Sequence, residues 1–360
     1  GAVDIAGLVH FAQECQIALT VVGPEAPLVA GVVDAFAAVG LRCFGPTQQA
    51  AQLEGSKAFT KDFLARHDIP TAWYQVFTDV EPAIDFIREK GAPIVIKADG
   101  LAAGKGVIVA QTEDEACEAV RDMLADNAFG EAGSRVVIEE FLRGEEASFI
   151  VMVDGEHILP MASSQDHKAR DNGDRGPNTG GMGAYSPAPV VTPEMHDRIM
   201  AEVIEPTVRG MAAEGHPYTG FLYAGVMIDA DGVPKVLEYN CRFGDPETQP
   251  IMQRLHSDFA ELIEAALDHR LDQVTAEWDS RASLGVVLAA KGYPASYPKG
   301  DVITGLPANE PSDLKVLHAG NAEKSGAVVT NAGRVVCDCA RGDSGREAQT
   351  RAYQLVGQTQ

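Results

Sequence analysis

No stretch of this sequence approaches the ~18 uninterrupted apolar residues that a membrane-spanning helix requires, which sets aside an integral helical membrane protein. Basic residues are scarce: 29 Lys and Arg stand against 52 Asp and Glu, for a net charge of −23. Nucleic-acid binding needs clustered basic side chains to neutralise phosphates, so that class is set aside too. Any phosphate-bearing ligand must be met by a few basic residues gathered locally. The six cysteines (15, 43, 117, 241, 337 and 339) form no C-x-x-C pair. Neither a disulfide framework nor a zinc site is indicated, and a reducing cytoplasm is expected. Cys337 and Cys339 share one face of a strand; two small buried apolar residues are the simpler reading, weak chelation the other. Internal repeats, low-complexity tracts and a basic, apolar leader pattern are all missing.

What remains is the composition of an ordinary globular protein, 45% hydrophobic and 22% charged. At 360 residues two or three domains fit. The opening reads as helix (Ile5–Gln16), strand (Ile17–Val22), a helix with apolar residues at 29, 32, 33, 36 and 39, and a strand at Cys43–Phe44. A doubly wound domain ordinarily opens on a strand and a glycine-rich turn. Residues 1–54 are therefore expected to be a truncated N-terminal α/β domain on the substrate side. Residues 55–275 read as an α+β domain with a small lid around 70–140: helix Lys57–His67, strands Trp73–Phe77, Pro93–Ala98, Val107–Ala110 and Arg135–Phe141, and helices Pro82–Lys90 and Glu113–Leu124. Strand Ala147–Val153 precedes a long polar, glycine-rich segment, Ser163–Pro189, whose lack of periodicity predicts a functional loop. A strongly patterned helix over Glu194–Glu214, a hairpin of Gly220–Ile228 with Pro234–Tyr239, and a helix at Asp258–Asp268 complete this part. Residues 276–360 read as a small, β-rich, truncated C-terminal domain ending in a helix at Glu347–Val356.

Three segments carry chemistry. At the end of the strand that begins Pro234-Lys-Val-Leu237, alternation puts Glu238, Asn240 and Arg242 on one face. A carboxylate, an amide oxygen and a guanidinium are poor core material and good tools for holding a hard cation against phosphate oxygens. Lys97-Ala-Asp-Gly-Leu-Ala-Ala-Gly104-Lys105-Gly106 is not a P-loop: the glycine spacing is one residue short and a strand follows it. It reads as a hairpin tip whose backbone N–H groups fold over phosphates, with Lys97 a fixed charge and Lys105 a mobile one. Taken alone, it equally fits a surface turn. Glu139-Glu140-Phe141-Leu142, followed by Glu146, fits a strand end that reads a base edge, with a carboxylate placed for ribose hydroxyls. Taken alone, it also fits an edge strand turning into solvent.

Taken in chain order, from Lys97 through Glu139 to Glu238, the three segments resemble the signature of ATP-grasp ligases. Further blocks make the resemblance narrower. Gly23-Pro-Glu25-Ala-Pro-Leu28, Gly55-Ser-Lys57-Ala-Phe-Thr-Lys61, Gln165-Asp-His-Lys168, Gly176-Pro-Asn-Thr-Gly-Gly-Met-Gly-Ala-Tyr-Ser-Pro187 and Asn240-Cys-Arg-Phe-Gly-Asp-Pro-Glu-Thr-Gln249 are similar to the phosphoribosylamine–glycine ligase (glycinamide ribonucleotide synthetase) family. The resemblance runs along essentially the whole chain. It implies that ATP, glycine and 5-phosphoribosylamine give glycinamide ribonucleotide, ADP and phosphate through a glycyl phosphate, in purine biosynthesis. It implies that Glu238 and Asn240 hold Mg2+ (or Mn2+) and that Lys97 and Lys105, with Gly104 and Gly106, meet the phosphates. Lys57 reaches the nucleotide, while Glu139, Glu140, Phe141 and Leu142 frame adenine and Glu146 takes the ribose. Arg242 steadies the transferred group. Asp166 and Glu247 receive glycine's ammonium, Asp245 lies beside them, and Glu25 binds the hydroxyls of phosphoribosylamine. Arg242, Lys105 and Asp166 are the implied catalytic residues. A cytoplasmic monomer is the expected state.

The chain departs from the family pattern in places. The opening strand with its Gly-x-Gly-Gly-Arg-Glu-His segment and the extreme C-terminus are absent, so a missing phosphoribosylamine phosphate site is an expectation. Strand Thr219–Ile228 contains no acid, so the metal is expected to rest on few protein groups and more water. Two other readings accompany the first: a different ATP-grasp carboxylate–amine ligase or carboxylase, and an inactive nucleotide-binding fragment.

Overall fold

In a computed structural model, which describes residues 1–101, 106–124 and 134–359, the chain forms two compact units. The first comprises Gly1–Pro160, Thr192–Phe243 and Ala260–Thr275; the second comprises Met161–Val191, Gly244–Phe259 and Ala276–Gln360. The α/β class expected from the sequence is observed in both.

The first unit opens with helix Ile5–Glu14, capped by the Asp4 carboxylate, which accepts from the Gly7 N–H. Strands Thr20–Val21 and Cys43–Phe44 pair in parallel. The apolar stripe read as one helix is two, Glu25–Val29 and Val32–Ala38. Gly31, at φ +89°, interrupts the helical path there.

A four-stranded antiparallel sheet follows in the part read from the sequence as a lid, in the order Tyr74–Phe77, Val136–Glu140, Ile94–Ala98, Val107–Ala110. Helices Val80–Lys90 and Glu113–Leu124 bury their apolar stripes on it, and Ile84, Ile87, Ile94, Ile96, Val120 and Met123 are fully enclosed. The second sheet of this unit runs Pro234–Asn240, Thr219–Ile228, Glu145–Asp154, Ile158–Pro160, all antiparallel. Beside it, the pattern read as one helix over Glu194–Glu214 contains a wide turn, Met200–Ile204, between Pro193–Ile199 and Glu205–Ala213. Pro206 explains it: without an N–H it cannot donate to the carbonyl four residues back, and its ring crowds that carbonyl.

In the second unit, the segment expected to be a loop is partly strand. Gly183–Ser186 pairs with Ala282–Ala289 and with Gln165–Asp166, as part of a five-stranded sheet that continues through Arg334–Gly342 to Leu314–His318. Backbone pairing to a distant strand, invisible to local periodicity, orders it. Cys337 and Cys339 are buried with Sγ atoms 3.7 Å apart, packed with Val287. Burial and mutual contact hold the Cys339 thiol well above its ordinary range, which fits an apolar role.

A buried carboxylate helps to join lid and helix. Asp99, where strand Ile94–Ala98 ends, accepts from the Ser56 hydroxyl (2.9 Å) and the Ala58 N–H (2.8 Å) and pairs with Arg135. Asp99→Ala strands these donors, so a loss of about 2–3 kcal/mol is expected in urea unfolding. A change below ~0.5 kcal/mol contradicts that linkage.

Candidate active site

The local geometry of strand Pro234–Asn240 sets the site. Gly225 pairs with Glu238 but Val226 pairs with Val236, so Leu237 is an extra residue, a bulge that resets the alternation. Val236 and Tyr239 are buried, while Glu238 and Asn240 lie on the opposite, half-exposed face. Alternation alone would have put Val236 on their face. The bulge also has a direct use: the Leu237 carbonyl accepts from the Lys97 ammonium at 3.1 Å.

Lys97 is one of a buried triplet. Glu139 is 2% exposed, with one carboxylate oxygen 2.7 Å from Lys97 Nζ and the other 2.6 Å from Lys61 Nζ. Lys61 also donates to Thr71 Oγ1 at 2.8 Å. Burial pushes the Glu139 carboxyl up, but the two ammonium groups outweigh it and its pKa falls below the ordinary range. Burial lowers the Lys61 pKa despite the Glu139 charge. The Glu139 carboxylate is thus committed to two lysines, because a buried charge demands partners.

The neighbouring residues do enclose a cavity. Glu140, Phe141, Leu142, Arg143, Met227, Asp229 and Lys235 line a space of about 300 Å³, with the Arg143 guanidinium over the Phe141 ring at 5.2 Å. Glu146 stands opposite Met227 in the adjoining strand. Met227, Asp229 and Lys235 were not read from the sequence; apolar–polar alternation in the hairpin is the signal that could have marked them.

Lys57 begins its helix after the Ser56 cap, which accepts from the Phe59 N–H, and its ammonium donates to the Gly100 carbonyl at 3.0 Å. Burial lowers its pKa, and Glu238 acts in the opposite direction. Gly106 closes the hairpin by accepting from the Ala98 N–H. Gly104 and Lys105 lie outside the described residues.

Arg242 lies just past the strand end. Its guanidinium is 3.4 Å from Glu25 Oε2, 3.3 Å from Glu54 Oε1 and 3.4 Å from Asn240 Oδ1. Glu54 is a residue that sequence reasoning missed, since a carboxylate in a short helix is unremarkable until tertiary contacts are known. Its other oxygen accepts from the Cys241 N–H at 2.7 Å. Burial raises its pKa to about 7 although Arg242 and the Cys241 N–H pull it down; Glu25 and Glu238 add to the rise.

In the second unit, Asp166 pairs in register with Ala184. Asp245 has its carboxylate between Arg334 Nη2 (3.0 Å) and Gln249 Nε2 (2.9 Å), the position of a turn-shaping residue. Glu247 is 2% exposed at the start of helix Thr248–Arg254. Arg334 was not read as a site residue.

As for a divalent metal, Glu238 and Asn240 offer two hard oxygens on one face, and among the described residues no group of three or more His, Cys, Asp or Glu suits an ion. That donor set suits a hard divalent ion that takes oxygen ligands.

The lid sheet, the bulged strand and the lysines between them define the class as an ATP-grasp protein. Family models for the N domain, the ATP-grasp (A) domain and the C domain of phosphoribosylglycinamide synthetase match residues 1–54, 55–248 and 283–360; the chain belongs to the phosphoribosylglycinamide synthetase family. It is 73% identical over 355 residues to a phosphoribosylamine–glycine ligase of Vibrio vulnificus strain YJ016, covering 99% of this chain and 83% of that protein. A ligase of the same name from Haemophilus influenzae is 69% identical, with 100% and 84% covered. Among solved structures, phosphoribosylamine–glycine ligase from Thermotoga maritima is similar with a TM-score of 0.82 at 37% identity, over 89% of this chain and 79% of that one. A biotin carboxylase complex from Campylobacter jejuni, at 14% identity and a TM-score of 0.78 over 99% and 78%, shares the fold.

Glu54 supplies a test of the site's electrostatics. A carboxyl raised from 4.5 to about 7 on folding binds more protons folded than unfolded across that window, so its contribution to stability falls as pH rises from about 4.5 to about 7. Glu54→Gln removes this slope, and the variant is expected to gain on the parent across the window in denaturant titrations. A constant difference between the two proteins contradicts the assignment.

Proposed function

We propose that this chain joins glycine to 5-phosphoribosylamine at the expense of ATP, giving glycinamide ribonucleotide, ADP and phosphate. Family membership supports this reading, and the single observation that carries it to residues is the convergence of Lys97, Glu238, Asn240 and Arg242 on the end of one bulged strand. A carboxylate is a poor electrophile. Its conversion to a glycyl phosphate lets an amine displace phosphate, and phosphoryl transfer needs positioning and charge neutralisation above all.

Lys97, held by Glu139 and the Leu237 carbonyl, gives a fixed cation for the phosphates, and Lys57 gives a second. Lys105, read from the sequence alone, adds a third. Adenine occupies the cavity lined by Glu140, Phe141 and Leu142, with Glu146 on the ribose. Glu238 and Asn240 would hold magnesium, or manganese in its place, which would supply charge neutralisation at the phosphates. Arg242, steadied by Glu25 and Glu54, meets the transferred phosphoryl group and then the acyl phosphate. In the second unit, Asp166 and Glu247 receive the ammonium of glycine while Asp245 shapes the turn before Glu247. Glu25 takes the hydroxyls of phosphoribosylamine. Attack of the ribosyl amine on the glycyl carbonyl forms the C–N bond, breaks the C–O bond to phosphate and releases the amine proton. A cytoplasmic setting agrees with six unpaired cysteines, five of them buried. Among the described residues, no helix is long and apolar enough to cross a membrane.

The test is ADP formation with ATP, glycine and freshly generated phosphoribosylamine, against omission of each and against bicarbonate. ADP formation is expected to depend on both glycine and the amine; dependence on bicarbonate without glycine sinks the reading. Glu238→Gln is expected to lower kcat by more than about tenfold with a modest loss of ATP affinity, because a metal-holding carboxylate acts mainly where charge develops. Unchanged turnover in that variant refutes the metal assignment.

A further inference from the structure

The second unit contains two acid-bearing segments far apart in sequence, and one guanidinium is bonded into the path between them. Arg334, at the start of strand Arg334–Gly342, donates from Nη1 to the Gly180 carbonyl (2.7 Å) and the Asp245 carbonyl (2.8 Å), and from Nη2 to Asp245 Oδ2 (3.0 Å). On one side, the Asp245 contacts fix the turn that delivers Glu247 two residues later. On the other, the Gly180–Gly181 turn leads into Met182 and Gly183. The Met182 N–H donates to the His167 carbonyl at 2.7 Å, and the His167 N–H donates to the Gly183 carbonyl at 2.9 Å. The strand carrying Asp166 is thereby tied to the same turn.

The two turns also touch directly. A Cβ at Gly181, where φ is +109°, would stand 2.3 Å from Pro246 Cδ, so only glycine allows this approach. The other side of Gly180 is held by Tyr293, whose hydroxyl accepts from the Gly180 N–H at 3.0 Å. Tyr293 in turn lies where a Cβ at Gly333 would stand 2.3 Å from its ring. Arg334 and its neighbour Gly333 thus position both peptide groups of Gly180.

We propose that Arg334 is a positioning residue for the glycine subsite, setting the spacing between the Asp166 segment and the Asp245–Glu247 turn. This rests on the reading above that Asp166 and Glu247 receive glycine's ammonium. Arg334 acts on the two segments through Gly180 and Asp245. A planar fork that reaches three acceptors is the requirement; the point charge of lysine cannot satisfy it.

The experiment measures KM for each substrate and kcat in Arg334→Ala, Arg334→Lys and Asp245→Asn in the intact enzyme, with Glu247→Gln in parallel and thermal midpoints for all. Arg334→Ala is expected to raise KM for glycine roughly tenfold or more while KM for ATP and for phosphoribosylamine stays within about twofold. Arg334→Lys is expected to recover part of the loss. A glycine KM within about twofold of the parent, or an equal rise in all three KM values, overturns the proposal. If Arg334→Ala does not fold, the lysine and Asp245→Asn variants decide it by the same criterion. Glu247→Gln separates the two ideas. No change in its glycine KM removes Glu247 from the subsite whatever Arg334 does, whereas a rise there with none at Arg334 leaves the subsite standing and refutes the positioning role.

Discussion

A single buried carboxylate, Glu139, organises the part of this molecule proposed to hold the nucleotide. It cannot be charged and alone in the interior, and its two ammonium partners come from different elements: Lys61 from helix Lys57–Arg66 and Lys97 from the neighbouring lid strand. Each lysine then carries the constraint outward. Lys61 bonds Thr71, whose hydroxyl donates to the Val236 carbonyl, and Lys97 bonds the Leu237 carbonyl. The lid sheet is thereby tied to the one strand that bears Glu238 and Asn240. The positions of Lys97, proposed to meet phosphates, and of Glu238 and Asn240, proposed to hold the metal, are consequences of the same buried charge.

The overall acidity of the chain makes this arrangement more telling. With a net charge of −23, the protein repels polyphosphates at long range, and attraction must come from charges placed at close quarters, where solvent screens them little. Lys57 and Lys97 are both largely removed from water, and Arg242 is held by Glu25, Glu54 and Asn240. Fixed cations in a partly dry setting stabilise developing negative charge without reorganising. The carboxylates around them hold those cations in place.

Much of this was legible in the sequence, for reasons that follow from local physics. Strand alternation marked Glu238, Asn240 and Arg242; the glycine-rich block after Lys97 read as a phosphate-facing turn, and its Gly104 and Lys105 lie outside the described residues. The lid helices and strands followed from periodicity. What stayed hidden depended on contacts across the sequence. Glu54 is one carboxylate among many until the Cys241 N–H and Arg242 meet it, and Lys61 has no mark that separates it from a solvated lysine. Arg334 lies 89 positions beyond the aspartate it holds. Glu139 was noticed, but its burial, and so its partners, could not be read from a strand-end composition. The segment around Gly183 hid its strand character because its pairing partner is about a hundred residues away. The bulge at Leu237 was hidden for the same reason: register belongs to the pair of strands.

The central claim is that ATP activates glycine as an acyl phosphate before the amine attacks. Its most direct test follows the oxygen atoms of glycine labelled with oxygen-18 in the carboxylate, during turnover with ATP and phosphoribosylamine. Inorganic phosphate carrying one labelled oxygen is expected, because the carboxylate oxygen that attacks the γ-phosphorus leaves with it. Unlabelled phosphate formed alongside glycinamide ribonucleotide would contradict the account.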